Sequence, residues 1–219
     1  MRTRVKICCL SSLGEARLAI AAGADALGLV AEMPSGPGPI SDELAGVIAA
    51  SVPPPVTAFL LTSREDGEAV AAHARAVGVT AVQIVRHLEP REHAAIRRAD
   101  PRLRIIQVVH VEDEGSLDLA RAYAETADAL LLDSGRPGAD VAELGGTGRA
   151  HDWSLSRRIV EATDRPVFLA GGLHPGNVAE AIARVRPFGV DVCSGLRPQG
   201  RLDAGRLAAF IAAVRRADG

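Results

Sequence analysis

Short apolar runs recur along the chain at roughly 25-residue intervals, and between them apolar positions return at helical spacing. In the first run, Val5 to Cys9, alternation puts Arg4, Lys6 and Cys8 on one face and Val5, Ile7 and Cys9 on the other. A strand with a charged, reactive face and an apolar face suits a barrel wall whose outside lies under helices. Further strands are predicted at Ala26 to Val30, Val56 to Leu61, Thr80 to Val85, Leu103 to Val111, Ala129 to Asp133, Pro166 to Ala170 and Val190 to Cys193. Helices are predicted between them. One follows Ser11 and Ser12 and stops at Gly23, one runs from about Ser41 to the Pro53-Pro54-Pro55 break, and one is capped by Ser63 and ends at Val77 before Gly78. The others are Pro90 to Ala99, Ser116 to Ala127, Trp153 to Ala162, a helix entered at Pro175, and Asp203 to Arg216. Eight strands alternating with eight helices predict an α/β fold, a single (β/α)8 TIM barrel over residues 1–219, rather than an open sheet of about five or six strands.

Composition narrows the function. A chain of 219 residues with 47% hydrophobic positions buries one good core, and a net charge of -2 gives no general field for nucleic acid or an anionic membrane. Aromatic residues are 3% of the chain, too few for base-stacking platforms. No apolar stretch reaches the length of a membrane span and none resembles a signal core, so a cytoplasmic protein is expected. Cys8, Cys9 and Cys193 lack metal-ligand spacing and do not make a disulfide framework, so no metal is expected. Monomer and homodimer are equally compatible with the sequence.

Candidate chemistry collects at the carboxyl ends of the predicted strands, where barrels of this kind carry their sites. AGGLHPGN follows the seventh strand, CSGLRPQG follows the eighth, and GGTG lies after the sixth; their glycines let backbone N–H groups approach an anion, which points to a phosphorylated small molecule. Cys8 shares a face with Lys6, the only lysine in the chain. A nearby cation is what a thiol needs to act as a base. Asp133 closes the apolar run ALLLD on the face of Leu131, where poor solvation favours its protonated form; its alternative role is to cap the backbone of Ser134 or Gly135. Cys9, on the opposite face, is expected under the helices, and Cys193 as a small buried hydrophobe.

VKICC, AGADALGLV, LLLDS, LGGTGRAHDWSL, PVFLAGGLHPGNVAEAI, VDVCSG and RLDAGRLAAFI, in that order, resemble the phosphoribosylanthranilate isomerase family of tryptophan biosynthesis. The resemblance implies a (β/α)8 barrel that needs no cofactor and performs an Amadori rearrangement of N-(5-phosphoribosyl)anthranilate. It implies Cys8 as the base that takes the C2 proton and Asp133 as the acid that protonates the ring oxygen. It places Gly146, Gly171, Gly172, Ser194 and Gly195 on the phosphate loops and matches Gln83 as a substrate contact; Lys6, on the face of Cys8, is a further candidate contact. The chain departs from the family pattern in three places. Cys9 stands where the family usually has glycine, Gly36 and Pro37 stand where an arginine meets the anthranilate carboxylate, and Val85 stands where the family has histidine. Arg86 or His87 could supply a replacement charge. Such losses also fit a related isomerase of another amino sugar or pentose phosphate, or a noncatalytic phosphate-binding barrel.

Overall fold

The computed structural model describes residues 2–34, 36–135 and 151–219. Eight parallel strands close in sequence order into a barrel: β1 (Arg4–Ile7), β2 (Ala26–Val30), β3 (Thr57–Thr62), β4 (Ala81–Ile84), β5 (Arg104–His110), β6 (Ala129–Asp133), β7 (Val167–Leu169) and β8 (Gly189–Val192). The helices α1 (Leu13–Ala22), α2 (Asp42–Ala50), α3 (Gly67–Val77), α4 (Pro90–Ala99), α5 (Gly115–Thr126), α6 (Trp153–Ala162), α7 (Val178–Val185) and α8 (Ala204–Ala217) cover the outside. The predicted TIM barrel is therefore the fold found. Among the described residues, no helix is long and apolar enough to cross a membrane.

Alternation along each strand sorts the core into two layers. Val5, Ile7, Leu130, Leu132, Val190 and Val192 pack outward with the helices, while Leu61, Ile106, Val108, Leu131 and Phe168 fill the inside with Cys8. Phe168 stands edge-on to both Phe59 and Phe188, with ring centres 6.1 and 5.4 Å apart, so three aromatic rings plug the amino-terminal end of the barrel. Arg4 lies at that end, 5.9 Å from the Phe188 ring, which settles where the first residue of β1 points. The opposite end is left for chemistry.

Local signals explain most boundaries. Ser12 and Ser41 accept hydrogen bonds from Glu15 N and Leu44 N at the starts of α1 and α2, and Gly23 and Gly78 end their helices in left-handed conformation. Two expectations need correction. Asp66, not Ser63, caps α3, because its carboxylate reaches Ala69 N three residues on. Pro175 lies in a turn before α7 rather than in its first turn; Asn177 occupies the cap position instead.

Candidate functional site

The carboxyl-terminal mouth of the barrel is organised around a buried ion pair. β1 and β8 run side by side with Lys6 opposite Asp191, and Lys6 Nζ lies 2.8 Å from Asp191 Oδ2. The ammonium is fully enclosed. Burial alone would discharge it, but the carboxylate of Asp191 keeps it protonated beyond the ordinary lysine range. Asp191 was not singled out from sequence. Its position between Val190 and Val192 was the available signal, since outward-facing valines turn the intervening residue inward.

Cys8 sits on the same face as Lys6, one step nearer the mouth. Its thiol pKa is lowered, first by a hydrogen bond from the Cys9 thiol and then by the Lys6 charge, which together outweigh burial. Gly28 on β2 makes this arrangement possible. A Cβ there would stand 2.6 Å from Cys8 Sγ and 3.0 Å from Lys6 Nζ. Any side chain at position 28 would displace both groups.

Cys9 does not lie under the helices, which corrects the expectation from alternation. β1 ends at Ile7, and Cys9 adopts φ 59°, so its side chain turns back over the mouth and joins the inner layer. There Cys9 Sγ lies 2.7 Å from Cys193 Sγ. Cys193 is half-buried, so it is not a simple core residue.

Asp133 ends β6 on the inward face that Leu131 defines. Desolvation raises its carboxyl pKa, opposed by the Ser134 N–H, which donates to Oδ1 at 2.7 Å, and by His110. The backbone-capping alternative is thus realised, and the carboxyl group still sits within the field of Lys6 and Asp191. Cys8 and Asp133 are pushed in opposite directions at one end of one barrel. His110, the β5 neighbour of Asp133 in the register, was also missed from sequence. It is buried, its Nε2 lies 2.9 Å from the Val85 carbonyl oxygen, and its Nδ1 has no partner among the described residues. An imidazole thus reaches from β5 to the backbone of the residue where the family pattern has histidine.

The glycine loops meet beside this pair. Gly171 and Gly172 both have positive φ, and Asn177 Nδ2 donates to the Gly172 carbonyl at 3.0 Å. Ser194 and Gly195 open a single 3-10 turn, Ser194–Leu196. Gly195 is pressed on the β7 loop so closely that a Cβ would lie 2.0 Å from the Leu173 oxygen. His151, a further residue not foreseen, lies against Gly171 and is held largely neutral, its pKa lowered to about 4 by burial. Gly146 lies outside the described residues. Gln83 points inside from β4, buried, with Oε1 unpartnered among the described residues. Arg86 and His87 do not supply the missing charge to the mouth: Arg86 pairs with Glu65, and His87 is engaged by Tyr123 and Glu89.

A second ion pair ties the β8 loop to the base of the site. Arg197 donates to both carboxylate oxygens of Glu15 and to the Cys8 carbonyl, at 3.1, 3.0 and 3.2 Å. Burial works to raise the Glu15 pKa, but Arg197 and the backbone N–H groups of Leu202 and Ser11 hold it down at about 2. A lowered carboxylate pKa contributes stability that is complete above the ordinary value of 4.5 and is lost as pH falls towards 2. Thermal melts of the wild type and Glu15→Gln should therefore differ most near neutral pH and converge between pH 4.5 and 2. A gap that is constant down to pH 2 would remove Glu15 as the source.

Fold and site together define a (β/α)8 barrel with a thiol of lowered pKa and a carboxyl group of raised pKa at its carboxyl-terminal mouth. Comparison with known proteins makes this particular. Residues 5–213 match the family described as N-(5'phosphoribosyl)anthranilate (PRA) isomerase, and the chain belongs to that family. N-(5'-phosphoribosyl)anthranilate isomerase of Halobacterium salinarum is 41% identical over 212 residues, covering 96% of this chain and 94% of the relative. The enzyme of the same name from Methanocella arvoryzae is 38% identical over 214 residues, covering 97% and 98%. Among solved structures, phosphoribosyl anthranilate isomerase from Thermotoga maritima superposes with a TM-score of 0.84 at 33% identity, covering 98% of this chain and 99% of that one. Another isomerase, solved with reduced 1-(o-carboxyphenylamino)-1-deoxyribulose 5-phosphate, gives 0.81 at 32% identity, with the same 98% and 99% coverage. The protein is an isomerase of this type.

Proposed function

We propose that the chain converts N-(5-phosphoribosyl)anthranilate to 1-(2-carboxyphenylamino)-1-deoxyribulose 5-phosphate, with Cys8 as general base and Asp133 as general acid. The observation that carries this reading is the opposite tuning of the two groups, thiol downward and carboxyl upward, on the inner face at one rim. Asp133 gives its proton to the ring oxygen and the C1–O bond opens, leaving an iminium at C1. The Cys8 thiolate then takes the C2 proton, and the released pair forms the C1–C2 double bond of an enaminol. Protonation at C1 and loss of the 2-hydroxyl proton complete the ketone.

In this reading Lys6 acts through its charge on Cys8, because its ammonium is enclosed and committed to Asp191. Gln83 Oε1 and Asp191 Oδ1 are buried and without a partner among the described residues, acceptors that a sugar hydroxyl reaches only by entering the barrel beside Cys8. The phosphate sits against Gly171, Gly172, Ser194 and Gly195, whose positive-φ glycines and 3-10 turn bring backbone N–H groups together at one rim.

The anthranilate carboxylate needs a cation, and Arg64 is the one we assign. A groove of about 560 Å³ runs along the rim between Ala31, Met33 and Pro34 of the β2 loop and Thr62 and Arg64 at the end of β3; Glu32, Asp42 and Glu43 line it too, so Arg64 is the guanidinium that offsets their charge toward an anionic ring. Arg64 Nε donates to His73 Nδ1 at 3.1 Å, and no carboxylate pairs with its guanidinium among the described residues. Steady-state turnover of the anthranilate substrate, followed by fluorescence, tests both parts. Wild-type turnover is expected, with Arg64→Gln raising KM about ten- to a hundredfold, the cost of one charged hydrogen bond. Absence of wild-type turnover would overturn the substrate assignment; an unchanged KM in the variant would overturn the role of Arg64 alone.

A further inference from the structure

We propose that Cys9 and Cys193 are a modification site: by exchange with a low-molecular-weight disulfide they form a reversible bond across the rim that lowers isomerase activity. The loss of activity, though not the bond itself, rests on the assignment of Cys8 as base.

Three features of the molecule converge on this pair. Cys9 and Arg186 are the non-glycine residues with positive φ among those described. Arg186 ends α7, where left-handed backbone is ordinary. Cys9 ends no helix and is buried, so it holds a conformation that disfavours any Cβ by about 1–2 kcal/mol. That conformation is what brings its sulfur to 2.7 Å from Cys193 Sγ, across 184 positions of sequence. The distance to a bonded pair, about 2.05 Å, is a shift of a few tenths of an ångström per atom.

The β2 loop is shaped around the same side chain. Gly38, at φ 88°, lies so close that a Cβ there would stand 2.6 Å from Cys9 Cβ and 3.3 Å from its sulfur. Cys193 is half-buried and Cys9 buried, so a reagent meets Cys193 first.

The exchange balances within the pair and one reagent. The Cys193 thiolate attacks RS–SR, forming a mixed disulfide and releasing one thiolate. Cys9 then attacks the Cys193 sulfur, its proton passing along its contact to Cys8, and the second thiolate leaves. Two thiols are oxidised by two electrons, and RS–SR is reduced to two RSH. Oxidised Cys9 has no S–H to donate, so Cys8 loses the hydrogen bond that does most to lower its pKa. Cys193 also precedes the Ser194–Leu196 turn, so the new bond ties the phosphate loop to the end of β1.

The full chain, reduced and then incubated with glutathione disulfide, provides the test. Intact mass should fall by two hydrogens, peptide mapping should place the link between Cys9 and Cys193, and activity should drop about tenfold or more and return with dithiothreitol. Cys193→Ser should form no link and lose no activity under the same treatment. Stable glutathione adducts without an internal link, a Cys8–Cys9 link, equal inactivation of Cys193→Ser, or a Cys9–Cys193 link with unchanged activity would each overturn the proposal. The mass readout needs no turnover, so an inactive wild type would count against the substrate assignment and leave the bond to be judged on its own.

Discussion

Replacing Cys8 by serine is expected to lower kcat/KM by about 10²–10⁴-fold, the contribution of a positioned general base, with little change in thermal stability. A serine hydroxyl fits the space that Gly28 leaves open, yet it gives up its proton far less readily than a thiol whose pKa is lowered by Cys9 and Lys6. Asp133→Asn should cost a similar factor for the opposite reason. The amide can still meet the Ser134 N–H through its oxygen, so the strand end is preserved, but it has no acidic proton for a ring oxygen. A noncatalytic phosphate-binding barrel would show neither loss, and it would hold a phosphate ester equally well in all three proteins. Folded variants that keep activity within a few-fold of wild type would remove both residues from the proton transfers.

The second large effect is on stability. Lys6→Met leaves the Asp191 carboxylate buried without its cation, and removing one member of a buried pair typically costs about 3–5 kcal/mol. For a chain of this size that corresponds to a fall in Tm of about 6–20 °C. Burial already raises the Asp191 pKa against the pull of Lys6, and removing that cation raises it further. Its neutral form is the stable one, so the penalty is small at acid pH, below the ordinary carboxylate range, and grows as pH rises through the raised value. Combining Lys6→Met with Asp191→Leu should return most of the lost stability, because two apolar side chains of similar volume need no pairing. Activity should not return with it, since the charge beneath Cys8 is gone. Thermal melts across pH, run beside turnover, separate the two effects. Recovery of both together would mean that the ion pair serves the fold and has no electrostatic role at the thiol.

The barrel was legible in the sequence because its strands carry their own addresses. In ALLLD, alternation alone assigned Leu130 and Leu132 to the helices and Leu131 and Asp133 to the inside, and the structure agrees. The same rule failed at Cys9, where a left-handed residue ends the strand and resets the direction of every side chain beyond it. Period-two reasoning holds only while the backbone remains extended. Asp191 and His110 escaped notice for a different reason. Each is one polar residue in an apolar strand, and its meaning comes from the partner on the neighbouring strand, Lys6 for one and the Val85 carbonyl for the other. Ser63 lost α3 to Asp66 on a local detail, since the loop after β3 is long enough to offer two candidate caps. Arg64 illustrates the limit most clearly: an exposed arginine in a loop has no periodicity to single it out, and the groove it lines is visible only in the folded chain.

The most direct test of the proton transfers is a crystal structure of this protein with the reduced product analogue bound. Substrate carbon C2 should lie about 3–3.5 Å from Cys8 Sγ, with the oxygen released from the ring within hydrogen-bonding distance of Asp133 and the phosphate against Gly172 and Gly195. An analogue seated with C2 remote from the sulfur, or with its phosphate at the amino-terminal end of the barrel, would contradict that assignment.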